Sequence, residues 1–373
     1  MIPTQRLPSS LTPLDVALAA LLHGLEPIAP VALPLAEALG CAAADMPPLD
    51  AYPPRDIAAS DGWALRARDL VGASSYSPLP LSASPLWVDA GHAMPAGCDC
   101  VIDADAVDQT GSVVQALAEA IPGQGVRRAG TEIAEASTVM ISGRYVRPLD
   151  LLIARAAGLD RLSVRRPRLR VVDIPARSGE AVTSWLIAEL ARAAGADVVC
   201  AEAAGRDAGS IASALDSGAC DMLVTTGGSG VGRHDATIGA LAGRGEVMAH
   251  GIALQPGRTA ATGRIGNVPV IALPGAPDQA LGAWWTIALP VLDRLSGLGP
   301  RARLTLPLQR KIASSVGIAE IVLLEQIEDA WMPLATGDLS LETIARADAW
   351  LAVPGAAEGF APGTPVDAYM LRE

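Results

Sequence analysis

The sequence predicts a multidomain α/β protein built on a central glycine-rich parallel sheet, with a β-rich second domain, a helical linker domain and a small C-terminal β-barrel-like domain. Three features carry this expectation. Buried β runs alternate with helical segments between Leu169 and Leu273, and two of those runs, Asp221–Thr226 and Pro269–Leu273, end in glycine. Such alternation favours right-handed βαβ units and a parallel sheet. The stretch from Pro47 to Ser137 is instead made of short Val/Leu/Ile runs punctuated by Gly, Pro, Asp and Ser, a pattern of strands and turns. Finally, 373 residues exceed a single ordinary core.

Within the α/β segment the expected order is a strand at Leu169–Ile174, a helix at Ala181–Ala194, a strand at Asp197–Ala201, a helix at Ala208–Ser217, and then the two glycine-ended strands. Helical spacing at Thr12–Leu39, broken at Pro27, Pro30 and Pro34, and again at Arg147–Gly158, predicts the linker domain, with Arg165–Arg168 as a polar hinge. After Pro300 the helices are expected to stop, leaving strands at Leu304–Leu308, Glu320–Leu324, Ala349–Val353 and Val366–Leu371. The domain boundaries are therefore placed at 1–46 with 138–168, 47–137, 169–300 and 301–373.

A formal net charge of −12 argues against nucleic acid as a partner, since phosphate neutralisation needs clustered Lys and Arg. No uninterrupted apolar run approaches a membrane span, and the N-terminal stretch lacks a basic-then-apolar pattern, so a cytoplasmic protein is expected. Five cysteines form no CxxC pair and read as reduced, buried thiols.

Chemistry concentrates in a few segments. Val224–Asp235 (VTTGGSGVGRHD) runs from a buried strand into glycines that permit close backbone approach to a ligand, ahead of a helix N-terminus that favours anions. It is neither a Walker A loop nor GxGxxG. Ile271–Pro277 (IALPGAP) repeats the strand-to-glycine device, and Leu254–Arg258 (LQPGR) lies between them, so that Thr226–Gly230, Pro256–Arg258, Pro274 and Gly275 are candidate ligand-binding residues on one sheet edge. Taken singly, each also fits a plain tight turn. Asp56–Ala64 presents Asp61 in an Asp-Gly turn, and Gln124–Glu132 offers Arg127, Arg128 and Glu132. The alternatives are a capped turn and a solvated hairpin.

The segments DIAASDGWA, GHAMPAGCDCVI, GQGVRRAGTEI, TTGGSGVGRHD, GIALQPGRTAATG and ALPGAPDQAL occur in the order and approximate spacing of the molybdopterin molybdenumtransferases, the MoeA and gephyrin E-domain family, and the chain resembles that family over nearly its whole length. The resemblance implies a molybdopterin-binding α/β domain and a homodimer whose site is shared between that domain and the partner's β-rich domain. It further implies adenylylated molybdopterin and molybdate as substrates, AMP as product, Mg²⁺ as the assisting ion, and other proteins of the molybdenum-cofactor pathway as partners. Its acidic positions fall on Asp61, Glu132, Asp207 and Asp235, with Asp207, Asp235 and Glu180 as the implied metal set. Asp207 reads equally well as a helix N-cap.

The chain departs from the family pattern where cations and hydroxyls are expected. Ala90 stands for a threonine, His250 and Gln255 for two lysines, Ile318 for an arginine and Asp338 for a serine. Arg258 keeps one cation, and Glu180 is displaced by one residue. Two readings follow: an enzyme that inserts molybdate into the adenylylated pterin, or a catalytically degenerate pterin-cofactor binder or carrier that holds its ligand through backbone N–H groups at Gly227, Gly228 and Gly275.

Overall fold

The computed structural model describes residues 5–138, 140–176 and 181–372. Contacts divide the chain into two compact units. One comprises Met1–Asp45, Ser142–Arg147 and Ser163–Glu373, and the other Met46–Ile141 and Pro148–Leu162.

The larger unit is organised by β1 (Arg168–Asp173), α1 (Val182–Ala193), β2 (Asp197–Glu202), α2 (Ala208–Ala214), β3 (Met222–Thr226), α3 (Thr237–Arg244), β4 (Glu246–His250), β5 (Ile252–Gln255), β6 (Ala261–Ile265) and β7 (Val268–Leu273). Among the described residues these give a six-stranded sheet in the order β2-β1-β3-β7-β6-β4. The first four strands are parallel, as the alternation predicts. The sheet as a whole is mixed, because β6 pairs antiparallel with both β7 and β4. The expected polar hinge is a two-residue junction between β1 and a preceding strand at Arg161–Arg165.

Both faces of the sheet are covered, which accounts for the near-continuous apolar strands. Leu169, Val171, Met222, Val224, Ile271 and Leu273 enter one core, and Val172, Ile174, Leu223 and Val270 enter another. β1 and β3 are pinned at their start by Asp221, which accepts from the Arg168 backbone N–H at 2.8 Å and from its Nη2 at 2.9 Å. Burial pushes the Asp221 carboxyl up, but the Arg168 hydrogen bonds outweigh it and hold the pKa below the ordinary carboxylate value. A depressed folded pKa means that the contribution to stability is complete above the ordinary value near ~3.9 and is lost as pH falls through the folded one. Asp221→Asn should therefore flatten the acid limb of a thermal-unfolding series below about pH 4. An unchanged limb would assign that loss to other groups.

The chain continues through α4 (Pro277–Ala283), a π turn and α5 (Leu289–Ser296) to β8 (Leu304–Pro307), β9 (Ala319–Ile327), β10 (Ala330–Thr336), α6 (Leu341–Arg346), β11 (Ala349–Val353) and β12 (Pro365–Met370). Helix α6, capped by Ser340 on the Thr343 N–H, corrects the expectation that helices end at Pro300. The terminal strands do not form a sheet of their own. Thr12–Pro13, β5, β9, β11, β12 and β8 lie in one path, with β10 beside β9, and Leu308, just past β8, bridges Trp331 of β10, so the terminal strands curl back toward one another. Ile321, Leu323 and Trp350 accordingly share a core with the α/β sheet.

The smaller unit holds short strands, as the texture of 47–137 predicts. Gly62–Leu65 pairs with Leu86–Val88 and Cys100–Ile102, and Ile57–Ala58 with Val126–Arg127. It also takes in the helix Pro148–Ala156.

Candidate functional site

The strand order 2-1-3-7 reverses between β1 and β3, and open parallel sheets bind ligands beyond the carboxyl ends of strands at such a point. Here β1 runs into Ile174–Ala176, β3 into Gly227–Gly230 and β7 into Pro274–Gly275. A Cβ added at Gly275 would stand 3.4 Å from the Gly227 Cα, so these two loops touch, as the paired glycine-ended strands suggest. Gly228 has φ +67°, and a Cβ there would meet the Thr237 Oγ1 at 2.4 Å. Only glycine fits.

Every carbonyl of the loop is held by a side chain. The Thr237 hydroxyl donates to the Gly227 oxygen at 3.0 Å, and the Gln5 Nε2 donates to the Gly228 and Gly230 oxygens at 3.1 and 2.7 Å. The His250 Nε2 lies 3.0 Å from the Ser229 oxygen. A carbonyl can only accept, so this nitrogen carries a proton. Among the described residues no protein acceptor is bonded to the N–H groups of Gly228, Ser229, Gly230 and Gly275, although Gly228 and Ser229 are buried. The buried Ser229 hydroxyl is also unpartnered. Unpaired buried donors are rare, and together they suit an anion. The Gly227 N–H, expected to be available, donates instead to the Leu273 oxygen at 2.9 Å and closes the β3–β7 edge.

Around this edge, Asp173 accepts from the Thr226 hydroxyl at 3.0 Å, and the Thr183 hydroxyl donates to the Gly275 oxygen at 2.6 Å. The Pro256–Arg258 turn packs on α4, where a Cβ at Gly282 would meet the Pro256 oxygen at 2.2 Å. The Gly257 N–H donates to the Gln279 side chain at 2.8 Å. Arg258 is exposed at this turn.

The expected acids have protein partners. Asp207 is the N-cap of α2, accepting from the Ser210 N–H at 3.0 Å and its hydroxyl at 2.6 Å, and the Ser210 hydroxyl and N–H hold its pKa below the ordinary value. Asp235 accepts from the Gly232 N–H at 2.9 Å and from the Arg206 Nη2 at 2.9 Å, while the Arg206 Nη1 donates to the Pro175 oxygen at 2.7 Å. Glu180 lies outside the described residues. Among the described residues no group of three or more His, Cys, Asp or Glu side chains could hold a metal. With Asp207 and Asp235 thus engaged, the donors among the described residues do not make a Mg²⁺ site. Asp61 and Glu132 belong to the smaller unit. Asp61 accepts from the Ala90 N–H at 2.7 Å, and Glu132 from the Arg127 Nη1 at 2.6 Å.

Sequence reading did not single out Arg206, Thr183, Asp173 or Gln5. Only Asp173 left a signal, a carboxylate that follows Val171 and Val172 at the end of its strand. The expectation of buried thiols holds for Cys41, Cys100 and Cys220, whereas Cys200 is exposed and Cys98 half-buried. Burial pushes the Cys100 thiol to about 11, unsuited to a nucleophile. A separate cavity of ≈ 1220 Å³, lined in part by Leu18, Trp285, Trp350 and Tyr369, includes none of the glycine-loop residues.

Asp235→Ala should lower stability by about 2 kcal/mol without any divalent metal present, because it leaves a mostly buried guanidinium without its counter-charge. Unchanged thermal unfolding combined with lost metal-dependent ligand binding would instead make Asp235 a metal ligand.

Comparison with known proteins decides the family. Residues 12–158 match the family described as "MoeA N-terminal region (domain I and II)", and residues 174–294 the "Probable molybdopterin binding domain". The chain is 31% identical to molybdopterin molybdenumtransferase 2 of Mycobacterium tuberculosis, over 72% of this chain and 76% of that protein. This chain belongs to the molybdopterin molybdenumtransferase family. A molybdopterin molybdenumtransferase of Synechococcus elongatus is 26% identical over 85% of this chain and 88% of its own. In fold, the molybdopterin biosynthesis MoeA protein of Pyrococcus horikoshii superposes with a TM-score of 0.72 at 22% identity, covering 97% of this chain and 100% of that one. As a family member, the chain carries the α/β glycine-loop edge inside the segment matched to molybdopterin binding. No helix among the described residues is long and apolar enough to cross a membrane.

Proposed function

We propose that the protein acts in molybdenum-cofactor biosynthesis as a molybdopterin molybdenumtransferase, receiving adenylylated molybdopterin and molybdate and releasing AMP. The observation that carries this reading is the set of N–H groups at Gly228, Ser229 and Gly230 that have no protein acceptor among the described residues, in a loop that packs against Gly275 at the sheet's switch point, in a chain of this family. Those donors would hold the phosphates of the pterin nucleotide, and Arg258 would add a mobile positive charge. Preorganised donors favour phosphoanhydride cleavage to the extent that charge grows on the oxygens they face. Incubating the protein with adenylylated molybdopterin and molybdate, with and without Mg²⁺ or chelator, should give stoichiometric AMP and metallated pterin. Tight pterin-nucleotide binding without AMP release would favour the carrier reading.

The working form is proposed to be a homodimer in which the Asp61, Arg127 and Glu132 loops of one subunit serve the glycine edge of its partner. Among the described residues Asp61 is bonded to the Ala90 N–H, and Arg127 and Glu132 are bonded to each other, all within the smaller unit. Light scattering at micromolar protein and physiological salt should give twice the monomer mass of 38.1 kDa. A monomer would end this arrangement.

A further inference from the structure

We propose that Gln5 is a positioning residue that sets the direction of the N–H groups in the glycine loop. The inference rests on the reading of that loop as the pterin-nucleotide site. One carboxamide uses both its donors and one of its two acceptor sites here. Its Nε2 donates to the Gly228 and Gly230 oxygens, and its Oε1 accepts from the Ile238 N–H at 2.8 Å in the first turn of α3. In a planar trans peptide the C=O of one residue and the N–H of the next point in opposite directions. Fixing the Gly228 oxygen therefore fixes the Ser229 N–H, and fixing the Gly230 oxygen fixes the Val231 N–H. Thr237 and His250 do the same for the N–H groups of Gly228 and Gly230 through the carbonyls of Gly227 and Ser229.

Of these holders, Thr237 and His250 come from the α/β segment itself, whereas Gln5 comes from more than two hundred residues away. It is delivered by a tethered segment. A Cβ at Gly251 would meet Leu7 at 2.9 Å and Pro8 at 3.1 Å, the Thr12 N–H donates to the Gly251 oxygen at 2.9 Å, and Thr12–Pro13 then pairs with β5. Glycine-rich backbone has little conformational preference of its own, so without Gln5 the peptide planes at Gly228–Ser229 and Gly230–Val231 lose their external restraint. Gln5 thereby converts a permissive loop into an oriented row of donors.

Two readouts test this. In the ligand-free protein, Gln5→Ala should speed amide hydrogen exchange about tenfold at Ile238, whose N–H loses its acceptor, and at the buried Ser229, and it should weaken calorimetric binding of adenylylated molybdopterin by about tenfold, in line with the loss of the two neutral hydrogen bonds that hold the loop carbonyls. Gln5→Glu separates orientation from tethering. It keeps the length of the side chain and the acceptor for the Ile238 N–H, but sets a carboxylate against two carbonyls, so it should bind no better than Gln5→Ala. Rescue of affinity by Gln5→Glu, or exchange unchanged in Gln5→Ala, would overturn the role of Gln5 whatever the ligand. If the wild-type protein binds no adenylylated molybdopterin while exchange responds as expected, the pterin-site reading fails and the orientation of the loop by Gln5 stands.

Discussion

Gly228→Ala is expected to reduce affinity for adenylylated molybdopterin by about a hundredfold or more and to lower the thermal midpoint by several degrees. The new Cβ would sit 2.4 Å from the Thr237 Oγ1 and 3.3 Å from the Ile174 Cγ2. Thr237 cannot turn away without giving up its bond to the Gly227 oxygen, and Ile174 is fixed in a packed core. The left-handed backbone at this position adds roughly 1–2 kcal/mol for a residue with a side chain. With the clash, a total near 3 kcal/mol is expected, felt at the row of N–H donors. Gly239→Ala in α3 is the matched control. Nothing lies within 4 Å of its added Cβ, so stability should hold or rise slightly. Equal ligand affinity in Gly228→Ala and wild type, by calorimetry, would remove the glycine loop from the binding site.

That position was legible in the sequence because a buried β run that ends in Gly-Gly must turn where side chains would not fit. The parallel strands β1, β2, β3 and β7 were legible because each centres on a short Val/Leu/Ile run, three of them, β1, β2 and β3, alternating with helical segments. The antiparallel pair β4 and β6 was not, since Glu246–His250 and Ala261–Ile265 mix polar and apolar residues on a sheet edge and carry no alternation strong enough to read. The terminal strands could be placed along the chain but not in space. Their sheet is completed by Thr12–Pro13 and β5, and two-residue pairings leave no periodicity.

Site residues divide along the same line. Glycines reveal themselves through backbone geometry, which is local, whereas Gln5, Thr183 and Arg206 act on backbone or carboxylate groups 225, 92 and 29 residues away. Asp207 shows the opposite case, where a local motif points to two roles. The structure supplies the capping bonds to Ser210, and sequence spacing alone could not rank them against a metal.

Molybdate should bind weakly to the wild-type protein, and His250→Lys with Gln255→Lys should strengthen it by one to several powers of ten while changing pterin-nucleotide affinity far less. Hydrogen bonds to charged groups contribute about 1.5–3 kcal/mol each, so two absent lysines account for that range. The residues present are committed elsewhere. The Gln255 Nε2 donates to the Gly337 oxygen at 3.1 Å, and the His250 Nε2 proton is given to the Ser229 oxygen. Gln255 has no charge to offer an oxyanion and the His250 Nε2–H is engaged by the loop, whereas the loop N–H groups that would hold phosphate need no lysine. A lysine at 250 could keep the bond to Ser229 and still bring a full charge, so the double variant should not disturb the loop. Isothermal titration with molybdate, alone and after saturation with adenylylated molybdopterin, separates the two affinities. If the wild-type chain binds molybdate as tightly as the double variant, the charge must come from Arg258 at the neighbouring turn. Arg258→Ala would then abolish molybdate binding while leaving the pterin nucleotide bound.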